Sequence, residues 1–131
     1  MSLRPGFSII MPTFNRAFCI CEAVDSVLMQ NYPDFELIVV DDGSSDGTDM
    51  LLKERYGAEM ACGRLKYLRS GHEGVSAARN KGLCAATREW AGYLDTDNRM
   101  CADYFAVFEN AVRTGGAKCY YAQIKHLNNR R

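Results

Sequence analysis

No stretch of this sequence approaches the roughly 18 consecutive apolar residues that a membrane-crossing helix needs, and no basic start leads into a long apolar run. No membrane span is expected, and a cytoplasmic location is. Net charge is lacking too: 16 Lys and Arg balance 16 Asp and Glu, so no overall field favours nucleic acid or an anionic membrane surface. The six cysteines form no Cys-x-x-Cys pair, and His72 and His126 are isolated, which counts against a zinc site. Most of those cysteines fall in apolar periodic segments, so reduced, buried thiols are expected, in keeping with a reducing compartment. There is no Gly-x-Gly-x-x-Gly at the first strand-to-helix turn, where a dinucleotide site brings backbone up to a pyrophosphate. Pro12-Thr13-Phe14 stands there instead and argues against NAD or FAD. Internal repeats, linkers and low-complexity tracts are absent as well.

What remains is an ordinary globular composition. The chain has 131 residues, 47% hydrophobic and 24% charged, which suits one domain with one core. The charge balance hides a gradient. Asp34 to Glu59 carries eight acids against Lys53 and Arg55, whereas residues 60 to 131 carry twelve bases against six acids. An acidic and a basic region are therefore expected to face each other across a site.

Apolar runs alternate with helical patterns along the whole length. Phe7 to Met11 reads as a strand that ends at Pro12, which has no N–H for a ladder. Ala17, Phe18, Ile20, Cys21, Val24, Val27 and Leu28 recur at helical spacing and predict a helix over 16–30. Phe35 to Val40, apolar except for Glu36, predicts a strand buried on both faces. After Asp41 to Gly47, a dense turn signal, a short helix through Met50, Leu51 and Leu52 runs to Gly57. Leu65 to Arg69 is a third strand, Val75 to Arg88 a helix rich in small residues, and Trp90 to Leu94 a fourth strand. A helix from about Met100 to Arg113 and a last strand around Lys118 to Ile124 complete the pattern. The order implies an α/β fold, an open and mostly parallel sheet with flanking helices.

Ligands of such sheets bind beyond the carboxyl ends of the strands. Pro12-Thr13-Phe14-Asn15-Arg16, Asp41-Asp42-Gly43-Ser44, Ser70 to Gly74 and Asp95-Thr96-Asp97-Asn98 stand there. Asp95 and Asp97, two apart, project to one side if the chain is extended, and hard carboxylate oxygens suit a divalent cation that also bridges phosphates. An Asp-rich turn is the plainer account of the same residues. Asp41 or Ser44 caps the next helix, or a carboxylate of this turn accepts a ring N–H from a base stacked on Phe14. Arg79, one turn into its helix, is either a solvated surface charge or a partner of Asp95, Asp97 or a phosphate. His72 and Glu73 read as mobile loop residues.

Together these blocks resemble the N-terminal, donor-binding half of the inverting family 2 glycosyltransferases, which have the GT-A, Rossmann-like nucleotide-diphospho-sugar transferase fold. The match runs over about residues 7 to 110, in four blocks. They are Phe7 to Arg16, Ser26 to Gln30 with Glu36 to Thr48, Gly74 to Gly82, and Tyr93 to Asn98. The resemblance implies transfer of a sugar from a nucleoside-diphosphate sugar to an acceptor hydroxyl with inversion. It implies that Pro12, Phe14 and Asp42 hold the base, with Thr13 beside them and Asp41 supporting the turn. It further implies that Asp95-Thr96-Asp97 is the DxD motif. Asp97 is then the direct ligand of Mn2+ or Mg2+, and Asp95 lies near the ribose or Arg79. Asn98 stands where the family often has a further Asp, and no metal role is assigned to it. A UDP-sugar is the expected donor by this analogy, and the acceptor is a glycan, lipid-linked, or a protein.

The family's general base and acceptor segment lie beyond the DxD region, and nothing after Asn98 matches them. Asp103 and Glu109 fall within a helical pattern, so no catalytic residue is assigned. The chain is expected to be one domain, the donor-binding half of a longer, truncated protein. The alternative is a nucleotide-sugar-binding module without catalysis.

Overall fold

The computed structural model describes residues 4–121. Its elements are β1 (Phe7–Thr13), α1 (Ile20–Leu28), β2 (Phe35–Asp41), α2 (Thr48–Arg55), α3 (Gly57–Ala61), β3 (Leu65–Arg69), α4 (Val75–Ala85), β4 (Trp90–Tyr93) and α5 (Tyr104–Thr114). The four strands form one sheet in the order β3-β2-β1-β4, and every pairing is parallel. The chain therefore moves outward from β1 to β3 and returns to the far side of β1, which makes the gap between β1 and β4 the point where strand order reverses.

Alternation along β1 and β2 builds two cores. Ile9, Met11, Leu37 and Val39 pack with Val24 and Val27 of α1, Leu52 of α2 and Phe105 of α5. Ile10, Ile38 and Val40 meet Ala78 of α4 on the other face. This is the two-faced burial that the apolar run 35–40 predicts. The small residues of α4 allow a close approach, since a Cβ on Gly82 would lie 2.5 Å from Ile10 Cγ2. Gly82→Ala is expected to cost about 1–3 kcal/mol, because Ile10 is fully buried and has no room to yield. Urea unfolding measures this, and a loss below about 0.5 kcal/mol would contradict the packing.

The element boundaries depart from the sequence pattern where tertiary hydrogen bonds take over. The first strand continues through Pro12 to Thr13. Ile10 O accepts from Leu94 on the β4 side and Thr13 O from Asp42 on the β2 side, so the missing N–H of Pro12 faces β4, beyond its pairing. Helix α1 starts at Ile20 rather than 16, because Asn15 is left-handed (φ 51°) and Arg16 O is used by a turn to Cys19 and Ile20. Helix α4 stops at Ala85, short of Arg88. There the N–H and hydroxyl of Thr87 go to Glu36 Oε1, and the N–H of Arg88 goes to Ser8 Oγ. Helix α5 starts at Tyr104 rather than Met100, whose N–H is held by Ser26 Oγ on α1. The sequence pattern did not predict α3. No strand forms at 118–121, and the rest of the expected last strand lies outside the described residues.

The charge gradient resolves into structural pairs. Glu36 meets Lys66 at 2.6 Å, Asp34 meets Arg88 at 2.6 Å, and Asp41 meets Arg69 at 3.4 Å. Much of the expected facing of acids and bases thus occurs beside the strands of the sheet. The cysteines differ from expectation as well. Cys62, Cys84, Cys101 and Cys119 are exposed, and Cys19 and Cys21 are only half-buried. No helix among the described residues is long and apolar enough to cross a membrane.

Candidate functional site

Parallel strands deliver their following turns to one edge of the sheet. A cavity of about 350 Å³ opens there, lined by Pro12 and Thr13 at the end of β1, Phe14 and Arg16 after it, Asp42 after β2, Val75, Ala78 and Arg79 of α4, and Asp95, Thr96 and Asp97 after β4. It lies beside the β1/β4 reversal, where a parallel sheet offers a crevice.

The first two turns are stapled together. Ser44 Oγ accepts the N–H of Asn15, Asn15 Oδ1 accepts the N–H of Ser45, and Asp46 accepts the N–H of Ala17. Asp46 also takes the N–H and hydroxyl of Thr48, so it, rather than Asp41 or Ser44, serves the start of α2. The staples hold Phe14, 40% exposed, at the cavity wall.

Adjacent Asp41 and Asp42 part company. Asp41 is fully buried and off the wall, and its carboxylate accepts the N–H of Ser44, the Tyr67 hydroxyl and Arg69. It holds the turn, and its side chain is closed to a ligand. Asp42 lines the cavity and accepts the N–H of Glu73 at 2.7 Å, the N–H of Gly74 at 2.9 Å and the Ser70 hydroxyl at 3.0 Å. Burial alone would raise its pKa. The two N–H groups, the hydroxyl and His72 outweigh that and lower it. Asp42 is thus an ionised, preoriented acceptor.

The fourth turn closes through the N–H of Asn98 on Asp95 O, so Asp95-Thr96-Asp97 is a turn rather than extended chain. Thr96 is buried, both acids are exposed, and both still reach the wall. Asn98 does not line the cavity. Arg79 stands 3.4 Å from Asp95 and over the Tyr93 ring. Its Nε and the Thr13 Oγ1 are buried polar atoms with no protein partner, an arrangement that a polar ligand relieves.

The donor set suits a hard cation. The Asp95 and Asp97 carboxylates, with no thiolate or imidazole among the lining residues, match Mg2+ or Mn2+. Among the described residues, no three His, Cys, Asp or Glu side chains group closely enough to hold a metal by themselves. Further ligands would have to come from a bound phosphate or water.

Sequence reasoning missed Arg16, whose only signal was a basic residue in the first turn. It also missed Asn15, Ser44 and Asp46 as supports. His72 and Glu73 are not free loop residues, since His72 packs on Phe14 and the Glu73 N–H holds Asp42.

A family model described as glycosyl transferase family 2 matches residues 8–129. A UDP-Glc:alpha-D-GlcNAc-diphosphoundecaprenol beta-1,3-glucosyltransferase of Escherichia coli is 31% identical over 123 residues, 93% of this chain and 47% of that protein. The fold is similar to a mannosyltransferase from Pyrobaculum calidifontis in complex with GDP-Man and Mn2+, with a TM-score of 0.74 and 30% identity, covering 89% of this chain and 34% of that one. It is also similar to S. aureus TarS in complex with UDP-GlcNAc, with a TM-score of 0.70 and 29% identity, covering 82% and 30%. The chain spans between 13% and 47% of the length of curated relatives that it matches.

Proposed function

The chain belongs to glycosyl transferase family 2, and from that premise we propose that the cavity is the donor site of a sugar transferase that uses a nucleoside-diphosphate sugar. The observation that carries this reading is the meeting of Phe14, Asp42, Arg79, Asp95 and Asp97, from separate turns, on one cavity wall. Phe14 stacks the base, and Asp42, held ionised, accepts its ring N–H. Pro12 and Thr13 form the floor beside it. Asp95 and Asp97 would hold Mn2+ or Mg2+, with Asp97 as the direct ligand because Asp95 is already shared with Arg79. Bound there, such a cation would supply Lewis-acid chemistry that offsets the charge of the diphosphate leaving group. Arg79 and Arg16 add cationic charge to the wall near the diphosphate.

Transfer with inversion needs a group to deprotonate the acceptor hydroxyl. Among the described residues, the acids on the cavity wall are Asp42, Asp95 and Asp97, each already engaged above. Glu109 is bound to Arg4 at 2.7 Å, away from the wall. No described residue is therefore assigned as the base, and general-base help is typically worth about 10²–10⁴-fold. That observation keeps a second reading, a donor-binding module that does not transfer sugar by itself. A UDP-sugar is the preferred donor and a lipid-linked glycan the preferred acceptor. The UDP-GlcNAc held by S. aureus TarS and the UDP-Glc donor and diphosphoundecaprenol acceptor named for the E. coli relative support this choice, whereas the P. calidifontis neighbour holds GDP-Man.

The test is a melting experiment with UDP, GDP and their sugars. A rise of several degrees that needs Mn2+ is expected, and no shift with any of them at millimolar concentration would overturn the reading. Turnover of a UDP-sugar onto a lipid-linked acceptor by these 131 residues alone would reject the module reading.

A further inference from the structure

The turn after β3 folds over two residues to which the base is assigned above, and the inference drawn here rests on that assignment. His72 has left-handed backbone (φ 58°), and its ring centroid lies 4.4 Å from that of Phe14 with the planes at 35°. Its Nδ1 stands 3.7 Å from Asp42 Oδ2, and its side chain, 68% exposed, is not itself part of the cavity lining but lies against two residues that are, Phe14 and Asp42. Backbone fixes this placement. The N–H groups of Glu73 and Gly74 tie the turn to Asp42, and Gly43 (φ 91°) lets it close, since a Cβ there would lie 3.3 Å from His72 N. The imidazole and the carboxylate are thus held side by side at one rim.

We propose that His72 is a specificity-determining residue: its imidazole N–H, set beside the Asp42 carboxylate, reads the carbonyl next to the ring N–H that Asp42 accepts, so the pair selects bases in which a ring N–H stands beside a carbonyl. An ionised carboxylate only accepts, so it must face a ring N–H. Uracil and guanine carry such an N–H flanked by a carbonyl. Cytosine and adenine carry a lone pair there, flanked by an amino group. Against them, Asp42 would face another acceptor and the imidazole N–H another donor. Rejection then comes from polar groups left unpaired in the site. Imidazole suits the second position because one of its nitrogens can donate while the ring rests on Phe14.

The experiment measures dissociation constants of UDP and CDP, equal in size and different at this edge, in the presence of Mn2+. The wild-type chain is expected to prefer UDP. His72→Ala and His72→Phe, the latter keeping a ring on Phe14 without an N–H, are expected to weaken UDP about tenfold and leave CDP unchanged. His72→Asn keeps an N–H and tolerates left-handed backbone, so it should retain most of the preference. UDP binding that is unchanged or tighter in both His72→Ala and His72→Phe would overturn the inference. Tighter binding would show that the imidazole fills the place of the base. A wild-type chain that binds neither nucleotide would sink the donor-site reading itself, whereas a preference for UDP that survives both variants sinks only this inference.

Discussion

Asp97→Ala is expected to abolish the help that Mn2+ gives to donor binding. In the wild-type chain a UDP-sugar should bind at least about 100-fold more tightly with Mn2+ than with EDTA, and in the variant equally in both. Losing even an outer partner of a metal ligand commonly costs about 10–100-fold, and a direct ligand should cost no less. Both acids of the motif are exposed on the cavity wall, but Asp95 is shared with Arg79 at 3.4 Å. The main electrostatic load of a bound cation would therefore fall on Asp97. The substitution lies in an exposed turn, so its effect on folding should stay within about 0.5 kcal/mol. Calorimetric titration with and without EDTA reads the effect. A metal dependence that survives in Asp97→Ala would reject the assignment.

Glu36→Gln should destabilise the fold by about 3–5 kcal/mol at pH 7, a large part of the stability of any small domain. Glu36 is 1% exposed on β2, and its carboxylate is the hub between two strands and the end of α4. It accepts the Ser8 hydroxyl at 2.7 Å, the N–H and hydroxyl of Thr87 at 2.8 and 2.9 Å, and the Lys66 ammonium at 2.6 Å. Burial by itself would raise its pKa. Lys66, Ser8 and Thr87 outweigh burial and hold it at about 2, against an ordinary 4.5. A carboxyl depressed in the folded state gives its full stabilisation above the unfolded value and loses it as the pH falls through the folded one. About 3 kcal/mol should therefore disappear between pH 5 and pH 2. Urea unfolding at pH 7 and at pH 3 tests both parts. The gap between wild type and Glu36→Gln should narrow at the lower pH. A gap below about 1 kcal/mol at pH 7 would show that the hub is not stabilising.

The two parts of this molecule differ in how far the sequence discloses them. Strands β1 to β4 announce themselves because Phe7 to Met11, Phe35 to Val40 and Trp90 to Leu94 are short, mainly apolar runs and Leu65 to Arg69 a mixed apolar and basic one, each between turn signals, although β4 ends one residue early, at Tyr93. Helix ends do not, because distant partners set them. Thr87 leaves α4 for Glu36, and Met100 is held to Ser26 before α5 can start. The convergence of Phe14, Asp42, Arg79, Asp95 and Asp97 was legible because parallel strands bring their following turns to one edge. Arg16 was not, since a basic residue in a turn is solvated by default and nothing in the sequence shows that this exposed side chain reaches the cavity wall. Nor was the place of His72, which depends on a left-handed residue and on a glycine, Gly43, that admits a neighbouring turn. The apolar spacing of the cysteines misled, for four of the six stand exposed.

The most direct test of the donor-site claim is backbone NMR of the 131-residue chain titrated with UDP, first with Mg2+ and then with traces of Mn2+. The account predicts shift changes confined to residues 12–16, 42–44, 70–79 and 95–97, with Mn2+ broadening centred on Asp95 to Asp97. Shifts centred elsewhere, or broadening that leaves Asp97 untouched, would contradict it.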